Sequence, residues 1–484
     1  MADLSIIRNG DDIPFRKQIS LTAKLAAPAI LAQLSNIIMQ YIDASMVGRL
    51  GADGSASVGL VLSSLWLFWG ICSAATVGFS VLVAHRLGAK EPEEARNVVR
   101  QGIVSVFIVT IFLAVVGVAI SPWLPAWLGG EENICHDASL YFGVWMAGLP
   151  LVSMSYLAGG VLRSAGNMKV PTILNIIMCI LDVAFNWFLI FPSRHIHIFG
   201  SELYMPGFGL GVLGAALGTV LAETTIAGVM FWYMAFRQPD TRLTHNDNAV
   251  WRPTSIMLHR VLKISIPMAL EHVVFCGAQV MITIIVAPLG VIAIAANAFA
   301  VTAESLCYMP GFGISDAATT LVGQSYGAKR IPLVKRFCHL SVGLGIVIMT
   351  FMGVIMYLAA PLMMEILSDV PAIVSLGTEI LRIEAWAEPL YAASIVAYGA
   401  FIGVGDTMIP AIMNFGSIWA VRIPLAALLA PTMRLRGVWI AMAIELSFRG
   451  IIFLWRMWSE RWLKNTDKDT DSDNGNLSPE VDLI

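Results

Sequence analysis

The chain has 484 residues, of which 57% are hydrophobic and 13% charged, with a mean hydropathy of +0.75. Soluble domains carry about 25% charged residues, so this composition excludes a soluble globular fold. The net charge of −3, with no basic domain and no zinc-finger spacing, argues against a nucleic-acid partner.

In chain order, residues 1–19 are polar and lack the charged-then-apolar layout of a cleaved signal peptide. About twelve apolar runs follow, at 20–48, 56–84, 102–122, 138–162, 171–192, 209–236, 258–287, 291–322, 338–362, 378–404, 408–431 and 437–460. Each can cross ~30 Å of hydrocarbon at 1.5 Å per residue. Residues 237–257 read as a linker, and 463–484 as a polar, disordered tail whose Asn476-Leu477-Ser478 sequon carries no weight. With the N-terminus inside, inner segments hold 23 Lys and Arg and outer segments five, and Arg422 and Arg449 fall within spans. Translocation of basic loops is disfavoured, which puts both termini in the cytoplasm; the expected location is a plasma membrane. Six cysteines without a CxxC give no basis for a disulfide framework or a thiolate metal site.

The chain is written twice. LVAHRLGAK (82–90) answers LVGQSYGAK (321–329), AGNMKVP (165–171) answers VGDTMIP (404–410), and APAILAQ (27–33) answers IPMALEH (266–272), all at a shift of 239. Six spans per copy is an even number, so both copies enter from the same side and the repeat is parallel. The expected fold is an all-α polytopic membrane protein of about twelve helices. It forms two pseudo-symmetric six-helix lobes, 20–236 and 258–462, around a central cavity.

Polar residues inside such spans are expensive, and lipid rejects them. At ~100° per residue, Gln33, Asn36, Gln40 and Asp43 of span 1 share one stripe ~80° wide. Either the stripe lines protein or a water-filled cavity, or Asp43 snorkels to the outer interface. In span 5, Asn175, Asp182 and Asn186 fall within ~40°. In the second copy, Glu271 and His272 follow Pro267, Glu304 lies in span 8, and Glu384, Glu388, Tyr391 and Tyr398 share a face of span 10. The bland alternatives are an interior hydrogen-bonded His272 and a structural Glu388. Arg422 and Arg449 are expected to pair with acids such as Glu223 or Glu445, since an unpaired buried charge is very costly. Asp316 and Asp406 read as helix caps. Trp66, Trp69, Phe68, Phe79, Met39 and Met46 offer a wall for flat cations or ordinary packing. Gly209, Gly211 and Gly214 satisfy GxGxxG, but no strand precedes them, so close helix packing is the better explanation. His195 and His197 have no third metal ligand, and Walker A, HExxH and GxSxG sequences are absent.

In order and at this spacing, YIDASMVGRLG (41–51), VLRSAGNMKVP (161–171) and GFGISDAATTLVGQ (311–324), with the LVGQSYGAK box, resemble the multidrug and toxin extrusion (MATE) transporters. The resemblance covers nearly the whole chain. It implies two six-helix lobes around a V-shaped cavity and export of organic, often cationic, compounds in exchange for H⁺ or Na⁺. Glu271 matches the family's acidic cation ligand, which would bind the ion if Na⁺ is used. The family's acidic ligand in span 10 aligns near Tyr391, leaving Glu388 one turn away. Asp182 and Asn186 depart from the family's usual Asn followed by Asp or Asn.

The expected function is therefore a secondary antiporter. Cation coupling is assigned to Asp43, Asp182, Glu271, Glu304 and Glu388, and the substrate cavity to Gln33, Asn36, Gln40, Asn175, Asn186, His272 and Tyr391. Its partners are a small organic molecule and the bilayer, with no cofactor and no obligatory protein partner. A flippase for a lipid-linked substrate is the main rival and would need a basic cavity. An enzyme would need a clustered nucleophile or His/Asp constellation, and a transport-incompetent receptor would tolerate neutral cavity residues.

Overall fold

A computed structural model of the chain describes residues 4–9, 12–198, 201–243 and 249–463. The apolar runs form helices because only a helix satisfies every backbone N–H and C=O within one segment when no water is at hand. A short α1 (Ser5–Asn9) precedes α2 (Phe15–Gly48), α3 (Ala52–Gly88), α4 (Pro92–Ile120), α5 (Leu124–Trp127), α6 (Glu132–Ser164), α7 (Lys169–Ile190) and α8 (Gly211–Trp232). The second copy holds α9 (Ser255–Val286), α10 (Val291–Gly327), α11 (Ile331–Leu367), α12 (Pro371–Glu384), α13 (Glu388–Val404), α14 (Met408–Gly416) and α15 (Ile423–Ser459).

Among the described residues, ten helices are long and apolar enough to cross a membrane, or eleven with the bent pair α12–α13. The last of them, Met408–Ser459, has 52 residues, or ~78 Å at 1.5 Å per residue, more than twice a hydrocarbon core. It reverses at Arg434, whose φ of 54° and ψ of −138° are not helical. Two spans meet there, which brings the total to twelve.

Three features differ from the expectation. Span 10 is not one helix over 378–404: α12 and α13 meet at 61° across residues 385–387. Residues 192–208 are not a plain connection but an antiparallel hairpin, β1 (Pro192–Ile198) on β2 (Ser201–Phe208). The glycines of the GxGxxG match split by role. Gly209 (φ +67°) and Gly211 (φ +58°) make the turn from β2 into α8, and only Gly214 serves packing, against Leu189 O. His195 and His197 lie on β1, but their side chains fall outside the described residues, as do the tail from residue 464 and its Asn476 sequon.

The repeat is visible in the backbone itself. Positions 239 apart share left-handed φ values: Gly51 and Gly290 at +100° and +98°, Lys90 and Lys329 at +63° and +56°, Gly166 and Gly405 at +84° and +86°. Gly405 closes α13 in the left-handed conformation that glycine adopts without a Cβ penalty. One group of helices packs around α6 (with α3, α4 and α8) and the other around α10 and α13 (with α11 and α15). The groups meet where α2 and α3 lie on α10 and where α3 lies on α9. Small residues allow these crossings: a Cβ on Gly313 of α10 would sit 2.6 Å from Ile30 N of α2.

Candidate functional site

Asp43 on α2 and Asp182 on α7 are joined by one amide. Asn186 Nδ2 donates to Asp43 Oδ1 at 2.9 Å and to Asp182 Oδ2 at 3.1 Å. The 100° step of α7 stacks Asp182 and Asn186 one turn apart, and α8 makes room beside them: a Cβ on Gly218 would lie 2.0 Å from Asn186 Oδ1. Asp182 and Asn186 are buried and Asp43 is half-buried. Among the described residues, Asp182 Oδ1 and Asn186 Oδ1 have no hydrogen-bond partner. The two carboxylates thus share the neutral Asn186 amide as a common donor.

Gln33, Asn36 and Asn175 line a separate cavity of about 30 Å³ with Arg163 and Asp316. That volume holds a water molecule or two and no drug-sized ligand. Asp316 is therefore not a cap: α10 continues to Gly327, and Asp316 faces this cavity. Asp406 is not a cap either but one half of a buried ion pair with Arg456, whose Nε donates to its Oδ2 at 3.2 Å. Gln40 is exposed and lines neither place.

In the second copy, Glu271 of α9 accepts hydrogen bonds from Tyr398 of α13 and from Asn414 Nδ2 of α14, the latter at 2.5 Å. Asn414 was missed by the sequence reading, although it stands 239 residues after Asn175 and carried that signal. His272 faces the first copy: its ring lies 6.0 Å from Trp69, which packs edge-on with Trp66 and Tyr156. Gly70 leaves the space, since a Cβ there would overlap the imidazole. Of the six expected wall residues, Trp66 and Trp69 form this group. Phe68 packs on Phe142, and Phe79, Met39 and Met46 belong to hydrophobic cores.

Deeper in the second copy lie Glu304 of α10 and, on either side of the 61° break, Glu384 and Glu388. Both of the latter are fully buried, and among the described residues all four of their carboxylate oxygens lack a hydrogen-bond partner. Glu384 also went unassigned at the sequence level, although Pro389 at the start of α13 marks the break beside it. It feels the charges of Glu304, Glu388, Arg422 and Glu445. Arg422 and Arg449 both pair with Glu445, through Arg422 Nε at 2.8 Å and Arg449 Nη2 at 3.0 Å, and not with Glu223. A π-helical turn, Ser417–Arg422, ends on Arg422 and re-aims it at that carboxylate. Tyr391 lies beneath the Arg449 guanidinium, 5.6 Å from ring centre to Cζ, and edge-on to Tyr308.

The expected site residues thus fall into several places. Asp43, Asp182 and Asn186 form one cluster, Gln33, Asn36 and Asn175 line the small cavity, and Glu271 with His272 stands on α9. Glu304, Glu388 and Tyr391 belong to the interior of the second copy.

A family model described as MatE matches residues 28–188 and again 267–428. A probable multidrug resistance protein NorM of Thermotoga maritima is 27% identical over 461 residues, covering 94% of this chain and 95% of that one. Its namesake in Oceanobacillus iheyensis is 25% identical over 447 residues, covering 91% and 97%. Among solved structures, a multidrug resistance MATE family transporter of the MOP superfamily in an outward-facing conformation aligns with a TM-score of 0.84. The two are 20% identical, over 96% of this chain and 99% of that one. A MOP superfamily transporter from Pyrococcus furiosus aligns at 0.83 and 19%, over 95% and 98%.

Proposed function

This chain belongs to the MatE family, and from that premise we propose that it is a secondary antiporter. It exports organic, amphipathic cations in exchange for H⁺ or Na⁺ by alternating access. The relatives named as probable multidrug resistance proteins support export of more than one compound. The observation that carries the coupling is the Asn186 amide shared by Asp43 and Asp182. Two anions sharing a neutral amide, with no cation paired to them, are costly away from bulk water, and a proton or a small cation removes that cost.

The second copy adds a related imbalance. Arg422 and Arg449 bring two positive charges to a neighbourhood holding Glu304, Glu384, Glu388 and Glu445. Glu445 offsets one arginine charge and the second arginine offsets one further acid, so two negative charges among Glu304, Glu384 and Glu388 are left to be met by protons or cations. Glu271, held by Tyr398 and Asn414, is the group that would take Na⁺ if that is the coupling ion.

In this scheme ionised carboxylates favour cationic cargo on the cytoplasmic side, and an entering H⁺ or Na⁺ neutralises them and releases it outside. One charge moving down ~100 mV supplies about 2.3 kcal/mol, a factor of roughly 50 in concentration. Both termini lie in the cytoplasm of a plasma-membrane protein, with the lobes spanning 20–236 and 258–462. A flippase of a lipid-linked substrate is the alternative. The small cavity offers it a single arginine, Arg163, already beside Asp316.

Right-side-out vesicles loaded with a fluorescent cation test the proposal. Efflux should follow either a pH step or a Na⁺ step and should vanish when both gradients are collapsed. Efflux that persists without any ion gradient would refute it.

A further inference from the structure

The two copies of the repeat touch at LVAHRLGAK and LVGQSYGAK. His85 of α3 leaves its own half: Nε2 donates to Gly403 O at the end of α13, 2.7 Å away. Its counterpart 239 residues later, Gln324 of α10, donates from Nε2 to Ser164 O at the end of α6, at 2.6 Å. The two acceptors are also 239 residues apart. Donor and acceptor are therefore exchanged together by the same pseudo-twofold axis. The helices beneath them cross backbone to backbone. A Cβ on Gly88 would lie 2.1 Å from Gln324 O, and a Cβ on its counterpart Gly327 would lie 2.0 Å from His85 O.

A third segment lies over this crossing. Arg8 of α1 donates from Nε to Gln324 Oε1 at 3.4 Å and pairs through Nη2 with Asp240 at 3.1 Å, on the segment that follows α8. Arg330 holds α1 in return, donating to Ile6 O and Ile7 O at 3.3 and 3.2 Å, and Ile7 is buried. The helix α1 thus touches α3 of one half and α10 of the other.

We infer that His85 and Gln324 are the two halves of a symmetric latch that holds the lobes together at the basic end of the bundle, with α1 as a strap over the Gln324 half. The inference rests on the reading that the lobes separate in turn during transport. Glycines at the crossing permit contact in any case. The two side-chain bonds decide how long it lasts, because each joins lobes that must part for the basic side to open. His85 and Gln324 are positioning residues, since neither belongs to the carboxylate sites. A neutral hydrogen bond of this kind weights an equilibrium about fivefold.

The test uses the full chain in bilayer discs, with genetically encoded spin-labelled side chains at exposed Glu94 of α4 and Arg336 of α11 and distances read by double electron–electron resonance. His85→Ala and Gln324→Ala should each raise the population of the longer, open distance about fivefold, and together roughly 25-fold. His85→Gln, which installs the counterpart's side chain, should restore the closed distance. Removing residues 1–9 should open the lobes as Gln324→Ala does and add little on top of it. If the alanine variants fail to fold, Gln324→Met keeps the size, loses the donor without placing a new charge beside Arg8 and should open the same end. Distance distributions identical to the unmodified chain in these variants would overturn the latch. A chain that opens as expected yet carries no cargo would instead overturn the antiport reading and leave the latch standing.

Discussion

The two lobes share one architecture and bury their acids in different places. Asp43, Asp182 and Asn186 of the first copy have Ile282, Val421 and Leu425 as counterparts 239 residues on. Glu304, Glu384 and Glu388 of the second copy correspond to Leu65, Trp145 and Leu149 of the first. By contrast, the turns at Gly166 and Gly405 and the crossing at Gly88 and Gly327 have true counterparts in sequence and in geometry. The contrast separates two kinds of requirement. Backbone crossings and helix ends must repeat because both lobes obey the same packing rules, whereas a buried carboxylate needs a local partner set, and each lobe builds its own.

The sharpest way to break this comparison is at Glu445, which pairs with two arginines in one lobe only. Glu445→Gln leaves both guanidinium groups without their carboxylate and is expected to cost about 3–5 kcal/mol. A fall in detergent-solubilised melting temperature would register it, and unchanged melting would show that other acids already balance the arginines. Asp43→Asn addresses the first lobe and should do the reverse: normal folding, with ion-driven accumulation reduced by roughly 50-fold, the factor one coupling charge supplies. Vesicle efflux at a fixed pH gradient measures that directly, and full activity would remove Asp43 from the coupling scheme.

A finer comparison sets Asn414 against its counterpart Asn175. Asn414→Ala takes a donor from the Glu271 carboxylate and should tighten ion binding there by about tenfold, since a hydrogen bond to a charged group is worth about 1.5–3 kcal/mol and its loss leaves the anion less satisfied. Asn175→Ala has Ala32 where Glu271 would be, and its effect should stay within a few-fold. Titration of transport against ion concentration distinguishes the two. Equal effects would mean that Asn414 acts through packing. Smallest of all, Phe68→Leu should leave transport within twofold because Phe68 packs on Phe142, whereas Trp69→Leu, which faces His272, should alter the affinity for aromatic cations several-fold. Substrate competition assays would show whether that order holds.

Much of this was legible beforehand. Apolar runs of about 20 residues mark the spans because the bilayer demands them, and the shift of 239 reveals the parallel repeat. Arg422 and Arg449 were readable as paired because a lone buried charge is too costly, and Glu445 was one of two partners named. Asp316 and Asp406 were misread as caps, since proximity to an apparent span end was the only signal; the observed extent of α10 and the approach of Arg456 correct both. The break before Glu388 has a local signal, Pro389 at the start of α13 with Glu384 and Glu388 beside it, but its 61° angle is set by the packing of the two segments.

By itself the sequence determined the spans, their number and the twofold plan, since hydrophobic length and internal repetition are properties of contiguous residues. Only the tertiary structure decided that Asn186 bridges Asp43 to Asp182, that Asn414 holds Glu271, and that His85 and Gln324 reach across to the opposite lobe. Such pairings join residues more than 100 positions apart in most cases, and helical periodicity shows which face a side chain occupies without showing what stands opposite it.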